Sequence, residues 1–492
     1  MQQITTPEWV KDAVFYQIFP DRFAQSQRVQ KSNCLQPWGS QPTPKGYQGG
    51  DLLGVVEHLD YIQDLGINAL YFNPIFQSAC NHRYHTHDYY QVDPMLGGNA
   101  ALRELVTEAH KRGIRVVLDG VFNHASRGFF QFNDILEQGA ASAYLDWFTV
   151  EAWPLHPYDG SKPANYVAWY NLRDLPKFNT DTAAVREFLM GVGEYWVREF
   201  EIDGWRLDVA AEITTPGFWE EFRSRVKAIN PEAYIVAEIW EEAQEWLQGD
   251  RFDATMNYEW TAAAIAFTAG ERVSIELVKD RSYTPYPALD AAGYSQAIQR
   301  LLGLYDWNVT QVQMNLLDSH DTARYLSIAR GDKASVRLGT LLQMTYPGAP
   351  SIYYGSEICI RGSHDTEKPL DDSEARWAFP WEQPDTWDTE MLAYMKAAIA
   401  LRNAHPALRR GRYQDVLAEG DVYVFARQDE QETLLVAVNV GMDAQTVTCS
   451  LGDIIEGEPQ LQRAFGDGEA PIEGGGKLTL ILAPRSGGVW SL

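Results

Sequence analysis

The sequence of 492 residues has few cysteines, and those it has are far apart. Cys34, Cys80, Cys359 and Cys449 form no CxxC pair and no other spacing typical of a metal site. We therefore predict that all four are free thiols, as is usual in a reducing compartment.

Basic residues, a signal peptide and long apolar runs are also lacking. The chain has 41 basic and 67 acidic residues, for a formal net charge of -26, which argues against nucleic acid or an anionic membrane as a partner. Its N-terminal stretch has no basic segment followed by an apolar one, and no apolar run could span a bilayer. These absences predict a soluble, cytoplasmic protein. We expect it to be a monomer or a homodimer.

Aromatic residues, in contrast, are abundant. The chain is 45% hydrophobic and contains 16 Trp and 25 Tyr, enough for a substantial core with rings to spare. Surplus rings are often plain core, but clefts that bind sugars also use flat rings. A chain of this length predicts one large domain with one or two smaller ones.

Short apolar strands alternate with helical segments over most of the chain, which favours an α/β fold, the (β/α)8 or TIM barrel. The predicted strands are 14–20, 69–74, 115–121, 203–208, 234–238, 253–257, 313–317 and 351–355. The predicted helices include 52–65, 101–112, 184–200, 217–229, 334–344 and 390–403.

Two parts of the chain depart from this alternation. Residues 122–182, after the third strand, are rich in aromatic residues, Pro and Asn, and predict an excursion domain over the barrel mouth. Residues 411–492 read as short alternating strands separated by turns, which predicts a C-terminal antiparallel β-sandwich. The barrel would then comprise residues 1–121 and 183–410.

Carboxylates occur at the predicted C-terminal ends of three strands, where barrel enzymes carry their active sites. Arg206 and Asp208 lie two residues apart and share one face of a strand, so we expect Arg206 to lower the pKa of Asp208. Glu238 directly follows an apolar strand near other carboxylates, which predicts a raised pKa. Asp321 follows the seventh strand. One ionised and one protonated carboxyl are what glycosidic bond cleavage requires.

Other readings of these clusters remain open. His85 and His87 beside Asp88, with His124 and His320, could indicate a metal-dependent amidohydrolase, although their spacing argues against it. A phosphate site is disfavoured because acidic residues follow strand seven, where phosphate-binding barrels carry a glycine-rich loop.

Four segments carry a resemblance to a known family: LDGVFNH, GWRLDVA, VAEIW and LLDSHDT, in this order. The chain resembles the α-amylase family of glycoside hydrolases over essentially its whole length. The resemblance implies a retaining hydrolase of α-1,4-glucosidic bonds, and also of α-1,6 bonds, in maltodextrins or cyclomaltodextrins.

The resemblance also implies roles for individual residues. Asp208 would be the nucleophile, Glu238 the general acid/base and Asp321 the third catalytic carboxylate. The substrate-binding residues would be Tyr84, His124, Arg206, Trp240 and His320, with Trp240 equally well explained as a packed tryptophan at the barrel rim. Asp119 and Asn123 would support the site from within.

Leu175-Pro176-Lys177-Phe178-Asn179 is similar to a short motif of the neopullulanase and cyclomaltodextrinase subgroup. The chain starts at the first barrel strand, so we expect it to lack that subgroup's N-terminal β-domain and the dimer built with it. Ala24-Gln25-Ser26-Gln27 replaces a segment that helps relatives hold calcium, and Gly49 with Asp51 would make a poor calcium site. We predict no cofactor and no required metal.

Two alternatives to this function stay open at the level of sequence. One is a transglycosylase or a relative that processes sucrose or trehalose by the same chemistry. The other is a catalytically inactive barrel that binds glycans or a partner, which the retention of all three carboxylates argues against.

Overall fold

Eight parallel strands form the centre of the computed structural model, which describes residues 4–32, 34–363, 372–452, 454, 461–469, 472–473 and 477–492. They are β1 Phe15–Ile18, β2 Ala69–Phe72, β3 Arg115–Gly120, β4 Gly204–Leu207, β5 Tyr234–Ala237, β6 Ala254–Thr255, β7 Met314–Leu316 and β8 Ala349–Tyr353. All eight predicted strands are confirmed. Apart from Arg115 at the start of β3, every strand residue is buried, as expected for strands covered on both faces.

These strands close into a barrel. Their order in the sheet is β6-β5-β4-β3-β2-β1-β8-β7, and a parallel bridge between Met256 and Met314 joins its two ends. The parallel register places the residues that follow β3, β4, β5 and β7 at one rim.

Helices surround the barrel, and most predicted helices are found within three residues of their expected bounds. The α-helices are Glu8–Lys11, Pro20–Phe23, Leu52–Glu57, Leu59–Asp64, Gly98–Lys111, Phe130–Gln138, Ala183–Phe200, Phe218–Ile229, Tyr258–Thr268, Ala291–Leu302, Trp307–Thr310, Tyr325–Ile328, Lys333–Thr345, Thr389–Ala404 and Pro406–Arg410. None of the helices described is long and apolar enough to cross a membrane.

The helix predicted over 52–65 is wrong in one respect, because it breaks into two at His58. His58 has φ -115° and ψ 12°, outside helical geometry, and its ring packs 3.9 Å from the ring of Trp381. His58 Nδ1 also lies 2.8 Å from the carbonyl of Gly54, so the side chain is held both by its own helix and by a residue more than 300 positions away.

Two smaller units accompany the barrel. After β3, the helix Phe130–Gln138 packs with antiparallel bridges such as Phe148 to Phe178 and Val150 to Tyr166. Beyond the last helix, the chain forms two antiparallel sheets with a shared apolar core. Their strands are Arg412–Glu419, Val422–Gln428, Thr433–Asn439, Gln445–Ser450, Gln462–Gly466, Ile472–Glu473, Lys477–Leu482 and Ser486–Ser491.

A short hairpin follows β2 and borders the mouth of the barrel. Its strands are Phe76–Ser78 and Thr86–Val92. The loop between them carries Tyr84 and three other side chains that become important below. The four cysteines are free, as predicted.

Gly204 allows β4 to lie against β5. It is paired with Tyr234, and a Cβ at this position would collide with the carbonyl oxygen of Tyr234. We expect Gly204→Ala to lower the free energy of unfolding by about 1–3 kcal/mol, because the two strands would have to separate. Chemical denaturation measures this. Gly160→Ala, on an exposed turn, is the matched control and should stay within about 0.5 kcal/mol; equal effects of the two changes would contradict the argument.

Candidate active site

The ten predicted site residues meet at the carboxyl-terminal rim of the barrel. Six of them line one cleft of about 590 Å³: Tyr84, His124, Asp208, Glu238, Trp240 and Asp321. The other four, Asp119, Asn123, Arg206 and His320, are buried behind its wall. The sequence therefore predicted the cluster, but the structure divides it into groups that face the cleft and groups that hold them in place.

Arg206, on β4, is the centre of the buried group. Its Nη1 donates to Asp119 Oδ1 at 2.9 Å and to Asp208 Oδ1 at 3.0 Å. Its Nη2 lies 3.0 Å from Glu238 Oε2. The side chain of Arg206 is 0% exposed, so it acts on the cleft through these three carboxylates and has no open face of its own.

Asp119, near the end of β3, helps to fix the position of the Arg206 guanidinium. Besides Arg206, it accepts hydrogen bonds from the hydroxyls of Tyr71 at 2.9 Å and Tyr84 at 2.8 Å. Because Tyr84 also lines the cleft, this carboxylate couples the position of Arg206 to that of a cleft wall residue.

Burial raises the pKa of Asp208 well above its ordinary value, the nearby Glu238 carboxylate adds to the rise, and Arg206 opposes it. The prediction of a lowered pKa for Asp208 is therefore wrong. The guanidinium contact was foreseen correctly, but the sequence did not reveal that this arginine is shared with two other carboxylates.

Glu238, directly after β5, receives a hydrogen bond on each oxygen. The backbone N–H of Val209 donates to Oε2 at 2.9 Å, and Trp240 Nε1 donates to Oε1 at 3.0 Å. Trp240 is itself held by Tyr258, since the two rings stack 3.8 Å apart and 5° from parallel. One face of Trp240 is thereby covered, and its indole N–H orients Glu238.

Asp321 is held on the opposite side of the cleft by two basic groups. His320 Nε2 lies 2.9 Å from Oδ2, and Arg376 Nη2 lies 3.4 Å from Oδ1. Burial alone would raise the pKa of Asp321, but His320 and Arg376 outweigh burial and lower it. Asp321 is consequently ionised at neutral pH. Arg376 was missed by the sequence analysis because it lies in a loop without a recognisable pattern.

His124 offers the cleft an unsatisfied nitrogen. Its Nδ1 lies 3.3 Å from Asn123 Nδ2, its ring stacks on Trp169, and its buried Nε2 has no hydrogen-bond partner in the structure. Burial lowers the pKa of His124 to about 3, so the ring is neutral and able to bond a hydroxyl group. The sequence analysis also missed Trp169 and the exposed Tyr170, which both line the cleft. It predicted only that the excursion domain is rich in aromatic residues.

Tyr84 and His320 are locked to each other, because the tyrosine hydroxyl lies 2.6 Å from His320 Nε2. Gln17, on β1, holds the other ring nitrogen of His320 at 2.8 Å. His320 is fully buried and contacts Tyr84 and Asp321.

The oxygens of Asp51, where the resemblance raised the question of a calcium site, do not fit a calcium ion. Asp51 accepts hydrogen bonds from the backbone of Ser26 and Gly54, and the ammonium of Lys31 lies 2.8 Å from its Oδ2. Lys31 also donates to the carbonyl of Met95 at 2.9 Å. A lysine cation and backbone amides thus take the oxygens that a metal would need.

Comparisons with known proteins agree with this geometry. Residues 17–390 match the family model described as "Alpha amylase, catalytic domain", and residues 411–490 match "Alpha-amylase C-terminal domain". A cyclomaltodextrinase of Bacillus sp is 43% identical over 449 residues, covering 91% of this chain and 76% of the relative.

Two sets of solved structures are similar over nearly the whole chain. The native form of the Nostoc punctiforme debranching enzyme is 53% identical, with 100% of both chains covered and a TM-score of 0.91. The ligand-free cyclic α-maltosyl-(1→6)-maltose hydrolase of Arthrobacter globiformis is 35% identical, with 99% of this chain and 100% of that chain covered and a TM-score of 0.85.

The raised pKa of Asp208 has a consequence for stability. A carboxyl whose pKa is raised by folding stabilises the protein below its unfolded pKa, near 4, and this stabilisation is lost as the pH rises through that value toward the folded pKa. At neutral pH we therefore expect Asp208→Asn to raise Tm by about 1–2 °C, and to lose this advantage in acid. Differential scanning fluorimetry across pH checks this. Asp250→Asn, at an exposed site, should show no such trend, and a destabilised Asp208→Asn protein at pH 7 would contradict the prediction.

Proposed function

Because the chain belongs to the α-amylase family and is a glycosidase that acts on α-glucans, we propose that it cleaves α-glucosidic bonds with retention of configuration at Asp208 and Glu238. One observation carries this assignment: two carboxylates on the cleft wall lie 3.0 Å from the two terminal nitrogens of the same buried guanidinium. Retaining enzymes need two carboxyl groups about 5–5.5 Å apart, and a shared guanidinium favours such closeness.

In the first step, the carboxylate of Asp208 attacks the anomeric carbon while the Glu238 carboxyl gives its proton to the departing glycosidic oxygen. The bond from anomeric carbon to that oxygen breaks, and a covalent glycosyl ester on Asp208 forms. In the second step, Glu238 takes a proton from water, the resulting hydroxide attacks the anomeric carbon, and Asp208 leaves. The proton that Glu238 gives up in the first step is thus restored in the second.

The remaining cleft residues bind the sugar at the point of cleavage. Asp321, ionised at neutral pH, accepts hydrogen bonds from two sugar hydroxyls, and the free Nε2 of His124 takes another. Tyr84 supplies an aromatic surface for the same ring. Arg206, Asp119, Asn123 and His320 position these groups, and Trp240 orients the proton donor Glu238.

For substrates, we propose linear and cyclic maltodextrins, with cleavage of α-1,6 branch bonds as well as α-1,4 bonds. Support for the α-1,6 activity comes from the debranching enzyme and the cyclic α-maltosyl-(1→6)-maltose hydrolase, which are similar over the whole chain. Support for cyclic substrates comes from the cyclomaltodextrinase. The engaged Asp51 and the Lys31 cation support an enzyme that needs no metal. We propose the cytoplasm as its location.

The negative charge of Glu238 helps to raise the pKa of Asp208. We therefore expect Glu238 to influence the pH below which the reaction slows. With maltosyl fluoride, whose leaving group needs no proton, Glu238→Gln should retain bond cleavage, whereas with maltodextrins its rate should fall about 10²–10⁴-fold. Removing the Glu238 charge removes one cause of the raised pKa of Asp208. The acidic limb of kcat/KM for the fluoride should therefore move to lower pH, as a pH profile will measure.

Glu241→Gln is the control for this profile, because Glu241 also lines the cleft but is exposed. Its acidic limb should stay in place. A limb that moves equally in both variants, or that rises in Glu238→Gln, contradicts the coupling of Glu238 to Asp208.

A substrate panel tests the bond and substrate classes. We expect the wild-type protein to hydrolyse maltotriose, a cyclodextrin, pullulan and a singly branched maltodextrin, with product sizes followed by chromatography and anomers by NMR. Asp208→Asn should lose about 10⁴-fold or more on every substrate, because the nucleophile is gone. If the branched substrate is left uncleaved, only the proposed α-1,6 activity is rejected. Products with inverted configuration, or an active Asp208→Asn protein, would reject the proposed mechanism.

A further inference from the structure

A loop at the edge of the cleft brings one thiol and two imidazoles together. Cys80, His82 and His85 lie between the hairpin strands Phe76–Ser78 and Thr86–Val92, and one donor atom from each lies within 4.8 Å of the others. Cys80 Sγ is 3.5 Å from His82 Nδ1, and the two histidine rings are 5.0 Å apart. The reaction proposed above uses none of the three.

The loop that carries these groups is fixed by its own hydrogen bonds. The hydroxyl of Ser78 donates to the carbonyl of His85 at 2.7 Å and lies 3.2 Å from Cys80 Sγ, so it ties the two ends of the loop together. The buried Arg83 donates to Asp93 at 3.0 Å and to the carbonyl of Asn81 at 2.8 Å. A ligand that binds here would not have to order the loop first.

One further hydrogen bond attaches the loop to Gly46, earlier in the chain, and another closes the loop internally. Asn81 Nδ2 donates to the carbonyl of Gly46 at 2.8 Å. The backbone of Arg83 adopts φ 60° and its N–H donates to the carbonyl of Cys80 at 3.2 Å, which turns the loop back on itself. This turn is what brings His85 beside Cys80 although they are five residues apart.

The chemistry of the donors selects the class of ion. A thiolate with two neutral imidazoles is a ligand set for zinc or a similar soft divalent ion, not for calcium or magnesium, which prefer oxygen. Three protein ligands leave a fourth tetrahedral position for water or another ligand. His82 and His85 line the cleft next to Tyr84, so that position is available on the substrate side.

We propose that Cys80, His82 and His85 bind a zinc-type divalent ion at the edge of the cleft, and that the bound ion inhibits α-glucan hydrolysis. On binding, the thiol proton is released to solvent, the sulfur coordinates as thiolate, and each histidine coordinates through one ring nitrogen. The bound ion then lies at the cleft wall next to Tyr84, where it hinders the binding of the sugar. The inhibition rests on the proposed function, whereas the binding does not.

Cobalt(II) titration of the full-length protein tests the binding directly. Cobalt is the probe because coordination by thiolate gives an intense near-ultraviolet charge-transfer band that carboxylates do not give. We expect one equivalent of Co²⁺ to produce this band, and Zn²⁺ to abolish it by displacement. Cys80→Ser should lose the band and weaken zinc binding by more than the about 10–100-fold typical of losing an outer-shell partner. Cys34→Ser, which removes an exposed thiol elsewhere, is the matched control and should keep the band.

Inhibition is measured in parallel with a maltodextrin substrate. Zn²⁺ should raise KM more than it lowers kcat in the wild-type protein and in Cys34→Ser, and should have at least about ten-fold less effect on Cys80→Ser. Without metal, Cys80→Ser should be as active as the wild type, because Cys80 lies outside the catalytic groups. Cys80→Ala replaces it should the serine variant not fold, as judged by circular dichroism.

Several results would overturn the proposal. The absence of a thiolate band, or a band that persists in Cys80→Ser, would show that these residues hold no metal. Equal zinc inhibition of wild type and Cys80→Ser would place the inhibitory ion elsewhere, for example on the catalytic carboxylates. Titrating Asp208→Asn separates the two proposals, since this variant should keep the cobalt band whether or not the hydrolase assignment is correct.

Discussion

The buried guanidinium of Arg206 is the interaction on which the site depends. Three carboxylates, from the ends of β3, β4 and β5, contact its terminal nitrogens, so a single cation sets their mutual positions. Loss of the guanidinium would leave three carboxylates without their shared cation, and loss of one partner from a buried ion pair typically costs about 3–5 kcal/mol. The barrel can hold this cluster because its strands deliver all four residues to one rim, where Arg206 is fully covered from solvent.

The same cluster explains why catalysis and stability oppose each other here. In the proposed mechanism, Asp208 and Glu238 must be close to act on one bond. The negative charge of these two carboxylates exceeds the single positive charge of the guanidinium, which also contacts Asp119. Burial raises the pKa of Asp208, and the excess negative charge adds to the rise. Burial also acts on Asp321, but the contacts with His320 and Arg376 on the other side of the cleft outweigh it. The partners of each buried carboxyl therefore decide whether the effect of burial is overcome.

Sequence reasoning reached the barrel strands and the three carboxylates of the candidate site because both leave local signals. Each buried strand reads as a short apolar run, and each carboxylate directly follows one or, for Asp321, lies a few residues beyond. What it missed depends on the folded chain: the ring of His58, where the helix breaks, packs against the distant Trp381, and the raised pKa of Asp208 comes from burial and from Glu238, thirty residues on. Arg376, Trp169 and Tyr170 come from loops without periodicity, so no pattern marked them.

Two sites with donor groups for a cation differ in the contacts that those donors already make. At Asp51, oxygen donors that suit a hard ion are already bonded to backbone amides and to the ammonium of Lys31, so the local charge is balanced by a residue of the chain itself. At Cys80, His82 and His85, the donors are nitrogen and sulfur, they lie within 4.8 Å of one another, and the loop is fixed. The first position gains rigidity without a metal. The second places its donor atoms at the edge of the cleft, where Cys80 Sγ contacts the Ser78 hydroxyl and His82 Nδ1 accepts a hydrogen bond from the backbone N–H of Tyr84. From this position a bound ion can affect catalysis without taking part in it.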